Sequence, residues 1–309
     1  MKYSIFTLGS VAIMASTVSS LPVVKKQDID LVVLQFALTL EHLENVFYKK
    51  ALARFSEIEF LAAGHSFEYY NNLKYIAHDE EAHVKLLTAG ITAAGGTPVE
   101  ACTYNFPMTN VQSFISLSSM LEGVGTSAYL GGAPLITSKD YLTIAGSILV
   151  TEALHTSMQR QALHRVPAAN PYGTPLTPTP VYSLAATFIE SCPSGNMALG
   201  FRAYPSFTTV SSMPAYAGRA IQFSAVSVPP ASFFVTFVNG LNVTSVAPER
   251  TSGKNVWAVP PVGFGGQTYA LITTTNMTGG SFSDSGLLYG PAVVDLIPGS
   301  PTFDRSYQK

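Results

Sequence analysis

The chain has 309 residues, a net charge of −2, and 12% charged against 47% hydrophobic side chains. So small and balanced a charge leaves no basic stripe, which excludes nucleic acid and anionic membrane surfaces as partners. About 290 residues would remain after loss of a leader, room for one large domain or two ordinary ones.

The amino terminus reads as a secretory leader over residues 1–20. Met1 and Lys2 precede an apolar run from Tyr3 to Ala15, and the small residues Ser16 to Ser20 suit cleavage near Ser20. The run is too short and wrongly flanked for a membrane anchor. Residues 21–27 form a linker or short pro-segment, in which Lys25-Lys26 is a dibasic processing point or simply a solvated stretch. Such a leader implies a secreted protein, extracellular or held in the cell wall. Two acceptor sequons, at Asn242 and Asn276, agree with that route. In an oxidising compartment the only two cysteines, Cys102 and Cys192, favour a disulfide; a pair of buried thiols is the alternative.

Four long segments with apolar residues at three-four spacing follow. The first starts near Asp28 as a cap and runs to about Phe55. The second covers about Ser66 to Ala94 and breaks at Gly95-Gly96-Thr97-Pro98. The third spans about Asn110 to Leu130, ahead of Gly131-Gly132-Ala133-Pro134. The fourth runs from a cap at Ser138 to near Val166, halted by Pro167. A shorter helix is expected over Val181 to Ser191. Residues 28–192 therefore read as an up-down four-helix bundle with one extra short helix.

From 193 to 309 the composition turns to Ser, Thr, Val, Phe, Pro and Gly. Alternating runs from Arg219, Ser232 and Thr268, with Asn239-Gly240 as a hairpin turn, predict a β-sandwich of about seven strands and a flexible tail. The fold class is α+β, as separate domains.

All six histidines lie at or before His164, and eleven of the twelve glutamates lie at or before Glu190, so metal chemistry belongs to the helical part. Its helices carry, in order, Glu41, then Glu80 and His83, then Glu122, then Glu152 and His155. A bundle core built from two single glutamates and two Glu-x-x-His pairs binds two metal ions. Residues three apart on a helix point within about 60° of each other and rise about 4.5 Å, so each pair serves one face. Chance predicts about 0.2 Glu-x-x-His pairs in such a chain, and both of those present fall on predicted helices.

Tyr48 follows Glu41 by seven residues and Tyr129 follows Glu122 by seven, about two turns along the same stripe. Each phenol can bond a carboxylate of a neighbouring helix, which makes both tyrosines candidate catalytic residues and the core pseudo-symmetric; plain core packing is the bland reading. Asp79 is a partner for a ligating histidine's second nitrogen or an exposed aspartate. Glu44, Glu81 and His42 read as a solvated face. Leu38, Leu40, Ile76, Leu121 and Leu154 read as the apolar wall.

The stretches LTLEHLENVFY, HDEEAH and TEALH, with Glu122, resemble the ferritin-like superfamily over about Asp28 to Val166. The whole chain, leader and Ser/Thr-rich β-tail included, resembles the fungal late-sexual-development and stress-response proteins, related to plant desiccation proteins. The resemblance implies Glu41, Glu80, His83, Glu122, Glu152 and His155 as ligands of two iron ions, manganese being possible, and Tyr48 as the first-helix tyrosine beside the centre. Members of the superfamily store iron, oxidise substrates with oxygen or dismutate peroxide, so no single reaction carries over; a secreted dimetal redox protein with oxygen or hydrogen peroxide as small-molecule substrate is the first expectation. The contrasting expectation is a protective surface protein, with the bundle as scaffold and the β-domain contacting wall or partner.

Overall fold

The computed structural model describes residues 29–303. The leader, the linker, the Asp28 cap and the last six residues of the tail lie outside the described residues. None of the described helices is long and apolar enough to cross a membrane.

Four long helices build the bundle: α1 (Ile29–Arg54), α3 (Phe67–Ala93), α4 (Val111–Gly132) and α5 (Lys139–Ala162), with a single-turn-and-a-half α2 (Glu57–Ala62) between the first two. Sequence periodicity overlooks α2, although Ser56 and Glu59 form a reciprocal capping box at its start. The start signals act as expected: the Ser66 hydroxyl accepts from Tyr69 N at 3.1 Å, and the Ser138 hydroxyl from Tyr141 N at 3.3 Å. Gly95, at φ +78°, lets Gly96 N reach the Ile91 carbonyl and closes α3. α5 stops at Ala162, four residues short of the expected end. His164 takes a left-handed conformation, and Arg165 N bonds back to the Arg160 carbonyl. That six-residue closure ends the helix before Pro167 is reached.

α1 lies against α3, and α4 against α5. The connection 94–110 joins these pairs, and α1 also packs against α4 with Tyr48 at Glu122 and Tyr129 at Glu41, so α1 and α4 are antiparallel. The connection is held twice: β1 (Thr103–Tyr104) pairs with β2 (Ile189–Ser191), and a disulfide joins Cys102 to Cys192. The short helix α6 is Pro178–Ala185, not Val181–Ser191. Pro178 sits in its first turn, where a missing N–H costs nothing, and Ile189 to Ser191 leave helix for the ladder with Thr103 and Tyr104.

Nine further strands follow: β3 (Phe207–Thr209), β4 (Ala215–Tyr216), β5 (Ile221–Ala225), β6 (Phe234–Asn239), β7 (Asn242–Val246), β8 (Arg250–Ser252), β9 (Asn255–Ala258), β10 (Gly266–Thr273) and β11 (Leu287–Ile297). They form a five-stranded sheet, β4-β11-β10-β6-β7, and a four-stranded sheet, β3-β5-β9-β8. In the hairpin of β6 and β7, Asn239 pairs with Asn242, so the turn residues are Gly240 and Leu241, one place later than expected. Gly240 supplies the positive φ that the first place of such a turn demands.

The two sheets enclose Phe207, Phe223, Phe237, Val256 and Val294. The other face of the larger sheet continues the bundle core, because Tyr269 and Leu271 pack there while Ala270 and Ile272 face the second sheet. Tyr269 donates to the Gly123 carbonyl at 3.1 Å, and Gln267 donates to the Met120 carbonyl at 3.2 Å, so β10 grips α4 beside Glu122. The sheet-rich region is thus a fused layer on the bundle, joined through shared core.

Candidate metal centre

α1 contributes Glu41, α3 Glu80 and His83, α4 Glu122, and α5 Glu152 and His155. All four carboxylates are fully buried and both imidazoles nearly so. Two clusters emerge, Glu41, Glu80, His83 and Glu152, and Glu80, Glu122, Glu152 and His155, each with ligand atoms within 4.8 Å of one another. Glu80 and Glu152 belong to both, which places them between two sites.

His83 Nδ1 faces Glu41 at 3.1 Å and both Glu80 and Glu152 at 3.5 Å. His155 Nδ1 faces Glu80 at 3.0 Å and Glu122 at 3.3 Å. The tyrosines exchange partners across the bundle: Tyr48 donates to Glu122 and Tyr129 to Glu41. A pseudo-twofold arrangement results, in which Glu41, Tyr48 and His83 correspond to Glu122, Tyr129 and His155.

Burying four carboxylates without cations is costly, because the charged forms lose their hydration. Burial pushes Glu80 up to about 7, against the opposing pull of the two histidines, and pushes Glu152 well above the usual range, with neighbouring carboxylates adding to it. Burial alone would lower the histidines. Contacts with Glu41 and Glu80 outweigh it and push His83 up to about 10, and contacts with Glu122 and Glu80 push His155 up to about 11. Both oxygens of Glu80 and of Glu152, one of Glu122, and Nδ1 of His155 are buried with no hydrogen bond of good geometry among the described residues. Oxygen and imidazole donors in this state, gathered in two overlapping clusters, fit metal ions.

Further residues support the ligands. Asp79 stands 3.4 Å from His155 Nε2, where it can fix the ring with Nδ1 turned inward. Ser118 lies 2.6 Å from the Tyr48 hydroxyl, Gln159 donates to that oxygen at 3.2 Å, and Tyr69 donates to Gln159 at 2.5 Å. Ser118, Gln159 and Tyr69 were not singled out from the sequence. Gln159 follows His155 by four residues, a spacing that could have found it.

Three expectations, for Glu44, Leu154 and His42, need correction. Glu44 is 4% exposed, not solvated, since the three-residue step from Glu41 turns it onto the same inward stripe. Leu154 is 65% exposed and walls nothing, because two residues from Glu152 is the opposite side of the helix. Leu38, Leu40, Ile76 and Leu121 are buried as expected. Glu81 does lie outside, paired with Lys49 and Lys85, whereas His42 is half-buried against the Val99 carbonyl. Asn242 and Asn276 are exposed, at the start of β7 and between β10 and β11.

Residues 29–165 match a family model described as "Ferritin-like domain". The chain is similar to Protein rds1 of Schizosaccharomyces pombe, 26% identical over 297 residues, 88% of this chain and 73% of that protein. Among solved structures it is similar to a conserved hypothetical protein of Mycobacterium tuberculosis, at 17% identity over 44% of this chain and 91% of that one, with a TM-score of 0.39. It is also similar to a ferritin-like, diiron-carboxylate protein of Bacillus anthracis, at 17% identity over 43% of this chain and 94% of that one, with a TM-score of 0.38. The helical part, residues 29–165, is therefore a ferritin-like domain, and a sheet-rich region follows it.

Proposed function

We propose that the bundle holds two ions, iron with manganese as the alternative, and that the chain is a secreted redox protein acting on oxygen or hydrogen peroxide. The observation that carries this reading is the set of orphaned donors: buried carboxylate oxygens of Glu80, Glu122 and Glu152, and His155 Nδ1, aimed at two points. When bound, the ions would exchange electrons with the small oxidant. Glu80 and Glu152 would lie between them, with Glu41 and His83 at one end and Glu122 and His155 at the other. Tyr48 and Tyr129 hold the terminal carboxylates by donating to them, and Asp79 orients His155. Leu38, Leu40, Ile76 and Leu121 keep bulk water out. The leader pattern, the disulfide and the exposed sequons at Asn242 and Asn276 support secretion and make contact with the cell wall available to the sheet-rich region.

Metal content and turnover test the reading together. The purified parent is expected to carry about two metal ions per chain, and Glu80→Ala and His155→Ala to lose metal and oxidant consumption in parallel. A folded parent that takes up no iron or manganese sinks the reading. Stoichiometric metal without turnover on either oxidant favours the scaffold role instead.

A further inference from the structure

A cleft of about 480 Å³ opens where the helical and sheet-rich parts meet, walled by α4, α5, residues 167–174 and the start of β10. That volume lies in the range of small-molecule sites, which favour such junctions. α5 turns one stripe into it, Val150, Leu154, Ser157 and Arg160, at three-four spacing. Glu152 and His155 point to the other side of the same helix, so the cleft and the metal centre use opposite faces of α5.

The stripe is polar at one end and apolar at the other. Arg160 is buried; its Nε donates to the Val166 carbonyl at 2.9 Å and its Nη1 to Asp295 at 3.0 Å. Nη2 makes no hydrogen bond among the described residues. It lies over Gly266, where a Cβ would stand 3.8 Å away, and opens to the cleft. The Ser157 hydroxyl, one turn earlier, is likewise without a hydrogen bond among the described residues. Positive charge is in excess by one here, because Arg160 and Arg165 share Asp295 as their only ion-pair partner among the described residues. Two spare donors beside an uncompensated positive charge suit a carboxylate. At the other end Val150, Leu154 and Tyr172 are 60%, 65% and 59% exposed, an apolar wall that the chain itself leaves uncovered.

We propose that this cleft binds a small aromatic carboxylate, its anion on Arg160 Nη2 and Ser157 and its ring against Val150, Leu154 and Tyr172. A ring covers the apolar wall without freezing the rotatable bonds of an acyl chain. The site requires no metal and stands apart from the dimetal reading.

Isothermal titration calorimetry on the full chain tests this with benzoate. Acetate and inorganic phosphate carry charge without the ring, benzyl alcohol the ring without charge, and hexanoate the charge on a flexible chain. Benzoate is expected to bind one per chain with a dissociation constant of about 1 mM or below. Acetate, phosphate and benzyl alcohol should each bind at least about tenfold more weakly, and hexanoate more weakly than benzoate. Ser157→Asp sets a carboxylate where the ligand's would sit, and is expected to weaken benzoate at least about tenfold at an unchanged melting temperature. Leu154→Ala, at a position outside the core, is expected to weaken benzoate about threefold, and it decides the matter if Ser157→Asp fails to fold. Benzoate that gives no saturable heat up to about 10 mM overturns the proposal. So does any of the other four probes binding as tightly as benzoate, or a folded Ser157→Asp or Leu154→Ala variant with the parent's affinity.

Discussion

The two tyrosines occupy equivalent positions but carry unequal networks. The Tyr48 hydroxyl donates to Glu122, accepts from Gln159 and meets Ser118, so its removal strands three buried polar groups. The Tyr129 hydroxyl bonds Glu41 alone among the described residues, and Glu41 keeps His83. An unsatisfied buried polar group costs about 1–3 kcal/mol. In the metal-free protein Tyr48→Phe is therefore expected to lose more stability than Tyr129→Phe, by about 1 kcal/mol or more. Urea denaturation of the two single variants checks this, and equal losses would show that the Gln159 and Ser118 contacts contribute nothing. The Glu-x6-Tyr repeat was legible because it lies within one helix. Ser118 and Gln159 were not, since their relation to Tyr48 exists only once three helices pack.

At the scale of elements, the helices were readable wherever a local device ends them. Ser66, Ser138 and Gly95 act within a few residues of the ends they fix, so their signals survive in sequence. The end of α5 was misplaced because a histidine, not a glycine or the following proline, takes the left-handed residue. β2 was read as helix because its only reason for being extended is the strand 86 residues earlier. The crossover that this strand and the disulfide secure leads from α3 to α4, which packs against α1 and α5 and brings Glu122 into one cluster with Glu80. A cross-link between residues 90 apart restricts the unfolded chain by about 4–5 kcal/mol in the loop-entropy account. Cys102→Ser with Cys192→Ser is expected to lose stability of that order while far-UV circular dichroism stays helical. A loss below about 1 kcal/mol would mean that the β1–β2 ladder and core packing already hold the crossover in the unfolded ensemble.

For the molecule as a whole, the division into a helical and a sheet-rich part was legible from composition, and the fusion between them was not. Tyr269 and Leu271 belong to a strand apolar on both faces, and only the folded structure shows that the second face completes the bundle core next to Glu122. Protons and global stability are coupled through that core, and the proposed metal would join them there. In the metal-free chain Glu80 rises from an ordinary 4.5 to about 7, His83 from 6.5 to about 10, and His155 from 6.5 to about 11. The folded state then holds more protons than the unfolded one across these windows. Its stabilising contribution is complete below the ordinary values and is lost as pH rises through the folded ones. Metal-free protein should therefore melt at a lower temperature near pH 9 than near pH 6. A divalent ion displaces those protons, so its affinity grows with pH and its stabilisation grows with it. Scanning calorimetry with and without excess Mn²⁺ should show a gap that widens from about pH 6 to about pH 9. A gap independent of pH would mean that the ion binds without displacing protons from His83, His155 and Glu80, and so binds elsewhere.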